Sequence, residues 1–89
     1  MYSILLTEDD QASALMAEEA LQARGCSVRW ASNAMETRAC LESQGYDALI
    51  MDLSLPDEDG FDLLRGLSYQ YPSLPILVMT TQDDAASAI

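Results

Sequence analysis

The 89-residue chain contains no lysine and no histidine, and its only basic side chains are four arginines. Those absences exclude a histidine general base, a histidine metal cluster and a Schiff-base lysine. Chemistry on this chain falls to carboxylates and hydroxyls. Fifteen Asp and Glu bring the formal net charge to −11, which repels nucleic acid and anionic membranes and favours cations or basic protein surfaces. No nucleic acid partner is expected for this segment. Cysteine is scarce too: Cys26 and Cys40 are far apart and lack a metal-ligand motif, which suits two reduced, partly buried thiols of a cytoplasmic protein. No basic stretch precedes an apolar one at the N-terminus, and no apolar run approaches the roughly 20 residues that span a bilayer. The chain is therefore expected to be cytoplasmic, without a signal peptide or membrane contact.

What the chain has in plenty is apolar residues, 49% of the total, enough for the core of one small globular unit. An apolar run at residues 4–6 ends in Thr7 and three acids. After it, Ala12, Leu15, Met16, Ala20 and Ala23 recur at helical spacing over 11–24, and Gly25 stops the pattern. Residues 27–31 suggest a second strand. Asn33, with Glu36 three residues on, offers an N-cap for a helix over 34–44 closed by Gly45. Residues 48–51 form a fully apolar strand. A helix over 61–71 presents Leu63, Leu64 and Leu67 inward, and Pro75 introduces a fourth strand over 76–79. Thr81 and Asp84 then resemble a capping box for another helix.

Strand and helix alternate with short connections and no hairpin signal, which predicts an α/β fold: a doubly wound parallel sheet with helices on both faces. Ligands of such sheets bind beyond the carboxyl ends of the strands, where the strand order reverses. Polar residues end three strands here: Thr7 to Asp10, Asp52, and Thr80 with Thr81. If strands one and three are neighbours, Glu8, Asp9 and Asp52 converge, and their mutual repulsion calls for a cation. Oxygen-only donors favour a hard ion, and Mg²⁺ fits best. Without it, at least one of the three acids is expected to have a raised pKa.

The stretches "ILLTEDD", "YDALIMDLSLPDEDGFDLL" and "PILVMTT" resemble the receiver domain of bacterial two-component response regulators, over essentially the whole chain. The family pattern is an acidic pair after strand one, an aspartate ending strand three with Pro and then Gly following, and Thr or Ser ending strand four. The resemblance implies the flavodoxin-like strand order 2-1-3-4. It implies that Asp52 accepts a phosphoryl group from the phosphohistidine of a sensor histidine kinase, in a phosphorelay. Asp9 and Asp52 would bind Mg²⁺ directly, Glu8 mainly through water, and the Ser54 carbonyl would complete the protein's share. Thr80 would turn its hydroxyl onto the phosphoryl oxygen.

Departures from the family are also legible. The chain stops inside the expected fourth helix and lacks the family lysine, so residues 1–89 read as a partial receiver domain without the fifth strand and last helix. A bare strand-four edge and an uncovered face of helix one are then expected to favour self-association. Thr37 and Arg38 replace the family's frequent small and aliphatic pair in helix two. Asp57, Glu58 and Asp59 make the following loop unusually acidic, which is expected to attract cations and oppose phosphate. The alternative reading is a receiver-like interaction module that takes up no phosphoryl group. A Mg²⁺-dependent hydrolase is less favoured, because no second catalytic acid or base is evident beyond the acidic cluster. A calcium loop fails because Leu55 and Gly66 occupy ligand positions.

Overall fold

The computed structural model describes residues 1–79. Thr80, Thr81 and Asp84, to which the sequence assigned a switch hydroxyl and a capping box, lie outside the described residues. The elements are β1 (Ser3–Thr7), α1 (Gln11–Ala23), β2 (Ser27–Ala31), α2 (Ala34–Ser43), β3 (Ala48–Asp52), α3 (Gly60–Gln70) and β4 (Ile76–Met79). All strand pairs are parallel, in the order β2-β1-β3-β4, as expected from the sequence. The strand order reverses between β1 and β3, where Thr7 pairs with Met51. The residues that follow β1 therefore lie beside Asp52.

Side chains alternate across the sheet, so each strand feeds two layers. Leu5, Leu49 and Met51 join Ala34, Cys40 and Leu41 of α2 and Leu63 and Leu67 of α3 in the main core. Leu64 packs at its margin. Both cysteines are free thiols, Cys40 buried and Cys26 half-buried.

The opposite face is covered differently from what the periodicity of α1 suggested. Ala14 is the buried residue of that helix, with Ala17, Glu18 and Leu21 half-buried. The stripe Ala12, Leu15, Met16, Ala20 and Ala23 is the exposed one. Small side chains at Ala14 and Ala17 let the helix sit close to β1 and β2, and a larger apolar stripe then faces outward. On the same side of the sheet Ile50 is half-buried and its neighbour Leu77 is exposed.

Helix ends follow local chemistry. α1 closes in a Schellman motif: Cys26 N–H donates to the Leu21 carbonyl and Gly25 N–H to that of Gln22, with Gly25 at φ 87°, a conformation glycine adopts freely. Asn33 caps α2 by accepting from Glu36 N–H, as its spacing predicted. The closing role assigned to Gly45 is not found. α2 ends at Ser43 on an extended Gln44, and Gly25 is the positive-φ glycine among the described residues.

Candidate functional site

Three consecutive acids leave β1, and the fold gives them separate work. Asp10 is the N-cap of α1, its carboxylate accepting from Ser13 N–H at 2.8 Å, and this bond holds its pKa below the ordinary value. Of the three acids, Asp10 alone serves the start of the helix. Glu8 continues the strand register: its N–H donates to the Ala31 carbonyl at 3.0 Å, and its own carbonyl accepts from Trp30 Nε1–H at 2.7 Å. Those bonds anchor the backbone and leave the side chain at the sheet's carboxyl end.

Asp52 is the last residue of β3. Carboxylate oxygens of Glu8, Asp9 and Asp52 all lie within 4.8 Å of one another. The sequence expected this convergence but not its asymmetry, since Glu8 and Asp52 are 4% and 3% exposed and Asp9 is open to solvent. Burial pushes the Glu8 carboxyl up to about 7, the Asp10 N–H bond opposes that rise, and the nearby Asp52 charge adds to it. Ser54 N–H donates to Asp52 Oδ1 at 2.9 Å, which fixes the plane of that carboxylate. Among the described residues, the ion pairs engage Glu58 and Asp62, neither of which belongs to the cluster.

The acids of the loop after Asp52 each engage a hydrogen-bond partner. Asp57 accepts from the N–H groups of Ala34 and Met35 at 2.9 and 3.0 Å, at the positive end of the α2 dipole. Glu58 takes both terminal nitrogens of Arg38. Asp59 caps α3 through Phe61 N–H at 2.8 Å. Hydrogen bonds hold the pKa of Asp57 and of Glu58 low, to the Ala34 backbone and to Arg38 respectively. At the loop's end Gly60 is required, because a Cβ there would overlap the backbone of Leu53.

Thr37 and Arg38, singled out in the sequence only as departures, acquire partners. Thr37 meets Thr7 through buried hydroxyls at 2.7 Å, and Arg38 holds Glu58. The Thr7 contact had no sequence signal beyond a hydroxyl preceding the acidic pair.

Comparison with known proteins agrees with this geometry. Residues 4–89 match the family model described as the response regulator receiver domain. The DNA-binding transcriptional regulator NtrC of Rhizobium meliloti is 36% identical over 87 residues, which are 98% of this chain and 18% of NtrC. The transcriptional regulatory protein QseB of Escherichia coli O157:H7 is 38% identical over 80 residues, 90% of this chain and 36% of QseB. The chain thus spans well under half the length of these curated relatives. Among solved structures, the non-phosphorylated HemR receiver domain from Leptospira biflexa superposes with a TM-score of 0.85 at 32% identity, covering 99% of this chain and 71% of that one. The response regulator TrrA from Thermotoga maritima, solved in complex with Mg²⁺-BeF, has a TM-score of 0.89 at 24% identity, covering 100% and 77%. That likeness speaks for the fold.

Proposed function

Because this chain belongs to the response regulator receiver domains, a signalling family rather than one of metabolic enzymes, we propose that it takes a phosphoryl group from a sensor histidine kinase onto Asp52. The observation that carries this reading is Asp52 itself, a 3% exposed carboxylate ending a central strand beside two further acids. Burying such a charge is costly unless it is paired or used.

The donor set fits Mg²⁺. Its side-chain donors are carboxylate oxygens, as a hard cation prefers, and the Glu8 pKa, raised by burial and by the nearby Asp52 charge, reflects a repulsion that a divalent ion would relieve. A receiver-fold relative has been solved with Mg²⁺-BeF, which supports the same ion here. Asp9 and Asp52 would hold it, with Glu8 mainly through water and the Ser54 carbonyl as a further ligand. When bound, Mg²⁺ supplies charge neutralisation of the phosphoryl oxygens.

The chain's own part is positioning. Ser54 N–H engages Asp52 Oδ1 and orients the carboxylate, one oxygen of which supplies the attacking lone pair. It forms the new O–P bond as the P–N bond of the donor phosphohistidine breaks, and the electron pair leaves with the imidazole nitrogen. Thr80, assigned to a phosphoryl oxygen, is the proposed switch hydroxyl. The new charge at the rim then changes partner preference. Self-association through the outward α1 stripe and the β4 edge belongs to the same reading.

The test is incubation with Mg²⁺ and acetyl phosphate, following intact mass beside Asp52→Asn. The expected result is one added phosphoryl group that requires both the metal and Asp52. Mg²⁺ binding without that gain would favour the interaction module instead.

A further inference from the structure

We propose that Arg38 is a positioning residue for the reaction at Asp52: through Glu58 it clasps the β3–α3 loop to α2 and keeps the Ser54 end of that loop aligned with the acidic cluster. The inference rests on the phosphoacceptor reading and extends it to a residue with no contact of its own to the cluster.

The loop's attachments make the case. At its start it is held by Ser54 N–H on Asp52 Oδ1, and at its end by the tight approach of Gly60 to Leu53. Between these points Leu55 packs against the core, and the two hydrogen-bonded side chains lead to α2. Asp57 accepts from the first two N–H groups of that helix, and Glu58 receives the guanidinium fork of Arg38, one turn further on. α2 is a suitable anchor, since Thr37, adjacent to Arg38, bonds to Thr7 at the end of the strand that leads into Glu8 and Asp9. Three hydrogen-bonded contacts, Thr7 with Thr37, Arg38 with Glu58 and Ser54 with Asp52, linked by the backbone of residues 37–38 and 54–58, therefore connect the two strand ends that form the cluster.

Stability alone does not explain such a pair. The side chains of Arg38 and Glu58 are 42% and 27% exposed, and ion pairs open to solvent add little to folding free energy. A bidentate fork supplies directional constraint, which a lysine ammonium lacks. Partners that orient metal-binding groups from outside the coordination sphere typically alter affinity or activity when removed.

The experiment compares wild type, Arg38→Ala, Arg38→Lys, Glu58→Gln and the Arg38→Ala/Glu58→Gln double variant. Mg²⁺ affinity is measured by calorimetry, phosphoryl uptake from acetyl phosphate at saturating Mg²⁺ by intact mass, and folding by thermal unfolding. Arg38→Ala and Glu58→Gln should each weaken Mg²⁺ binding and slow uptake by about tenfold. The double variant should be no worse than either, because both residues act through one pair. Arg38→Lys should recover part of the loss, and unfolding midpoints should barely move. Effects that add in the double variant would overturn the clasp. So would losses that merely track unfolding, or opposite signs for the two single variants, the signature of a charge effect on an anionic donor. If wild type takes up no phosphoryl group, the phosphoacceptor reading fails, and the clasp stands or falls on the Mg²⁺ affinities.

Discussion

The hydroxyls of Thr7 and Thr37 lie 2.7 Å apart in the buried layer between β1 and α2. Thr37 also donates to the Asn33 carbonyl at 2.8 Å, so the shared proton comes from Thr7. One hydroxyl pair thus connects the strand leading to the acidic cluster with the helix that steadies the loop after Asp52.

Removing one member should cost more than removing both. Thr37→Val leaves the Thr7 hydroxyl buried without its acceptor, a loss of about 1–3 kcal/mol. Adding Thr7→Val replaces both groups by apolar ones of similar shape and should recover much of it. Urea unfolding of the two single variants and the double one checks this, and an additive double variant would count against the pairing.

Two glycines of α3 should respond in opposite directions to alanine. Gly60→Ala drives a Cβ into the Leu53 backbone, and overpacking of this kind costs about 1–3 kcal/mol. Gly66 has nothing within 4 Å of its Cβ position, so Gly66→Ala should stabilise the helix by about 0.5–1 kcal/mol. Thermal unfolding separates the two.

Stability and metal affinity should depend on pH through Glu8, which is held at about 7 against an ordinary 4.5. A carboxyl whose pKa is raised by folding adds stability that is complete below the ordinary value and is lost as pH rises through the folded one. Without metal, the contribution lost between pH 4.5 and 8 is about 3 kcal/mol, and Glu8→Gln should abolish that loss. Ionised Glu8 would favour Mg²⁺ at the proposed site, so the affinity should rise with pH up to about 7, with release of a proton. Trp30, the chain's single tryptophan, bonds to the Glu8 carbonyl, and its emission should report the titration. A pH-independent affinity would contradict this assignment.

Leu15 and Met16 of α1 are 49% and 71% exposed and Leu77 of β4 is 56% exposed, large apolar side chains of the kind that draw proteins together when left open. Elution volume should therefore decrease with concentration, and a Leu15→Gln/Met16→Glu variant should elute as a monomer at every concentration. Concentration-independent elution of the wild type would refute it.

Much of the site was legible in the sequence because a parallel strand announces itself as an apolar run and its first polar residue marks the sheet's rim. Glu8, Asp9 and Asp52 were found by that signal. The use of Asp10 as a helix cap was not separable from its neighbours, since Glu8, Asp9 and Asp10 differ in environment rather than in type. The α1 stripe misled because periodicity locates an apolar face without saying which face meets the sheet. Ala14, small enough for close approach, proved to be the buried one. The acids of the β3–α3 loop looked like excess charge because Ala34, Met35 and Arg38 precede them by some twenty residues of sequence.

Local chemistry, written in order along the chain, determined the strands, the helix caps at Asn33 and Gly25, the parallel winding and the identity of the acids at the rim. Those features depend on neighbours a few residues away, and a sequence records such neighbours directly. Tertiary structure alone decided that Glu8 and Asp52 are buried while Asp9 is open, that Thr7 meets Thr37, and that Arg38 holds Glu58. Each depends on how β1, α2 and the β3–α3 loop pack, and burial and long-range pairing exist only once distant segments share the same few ångströms.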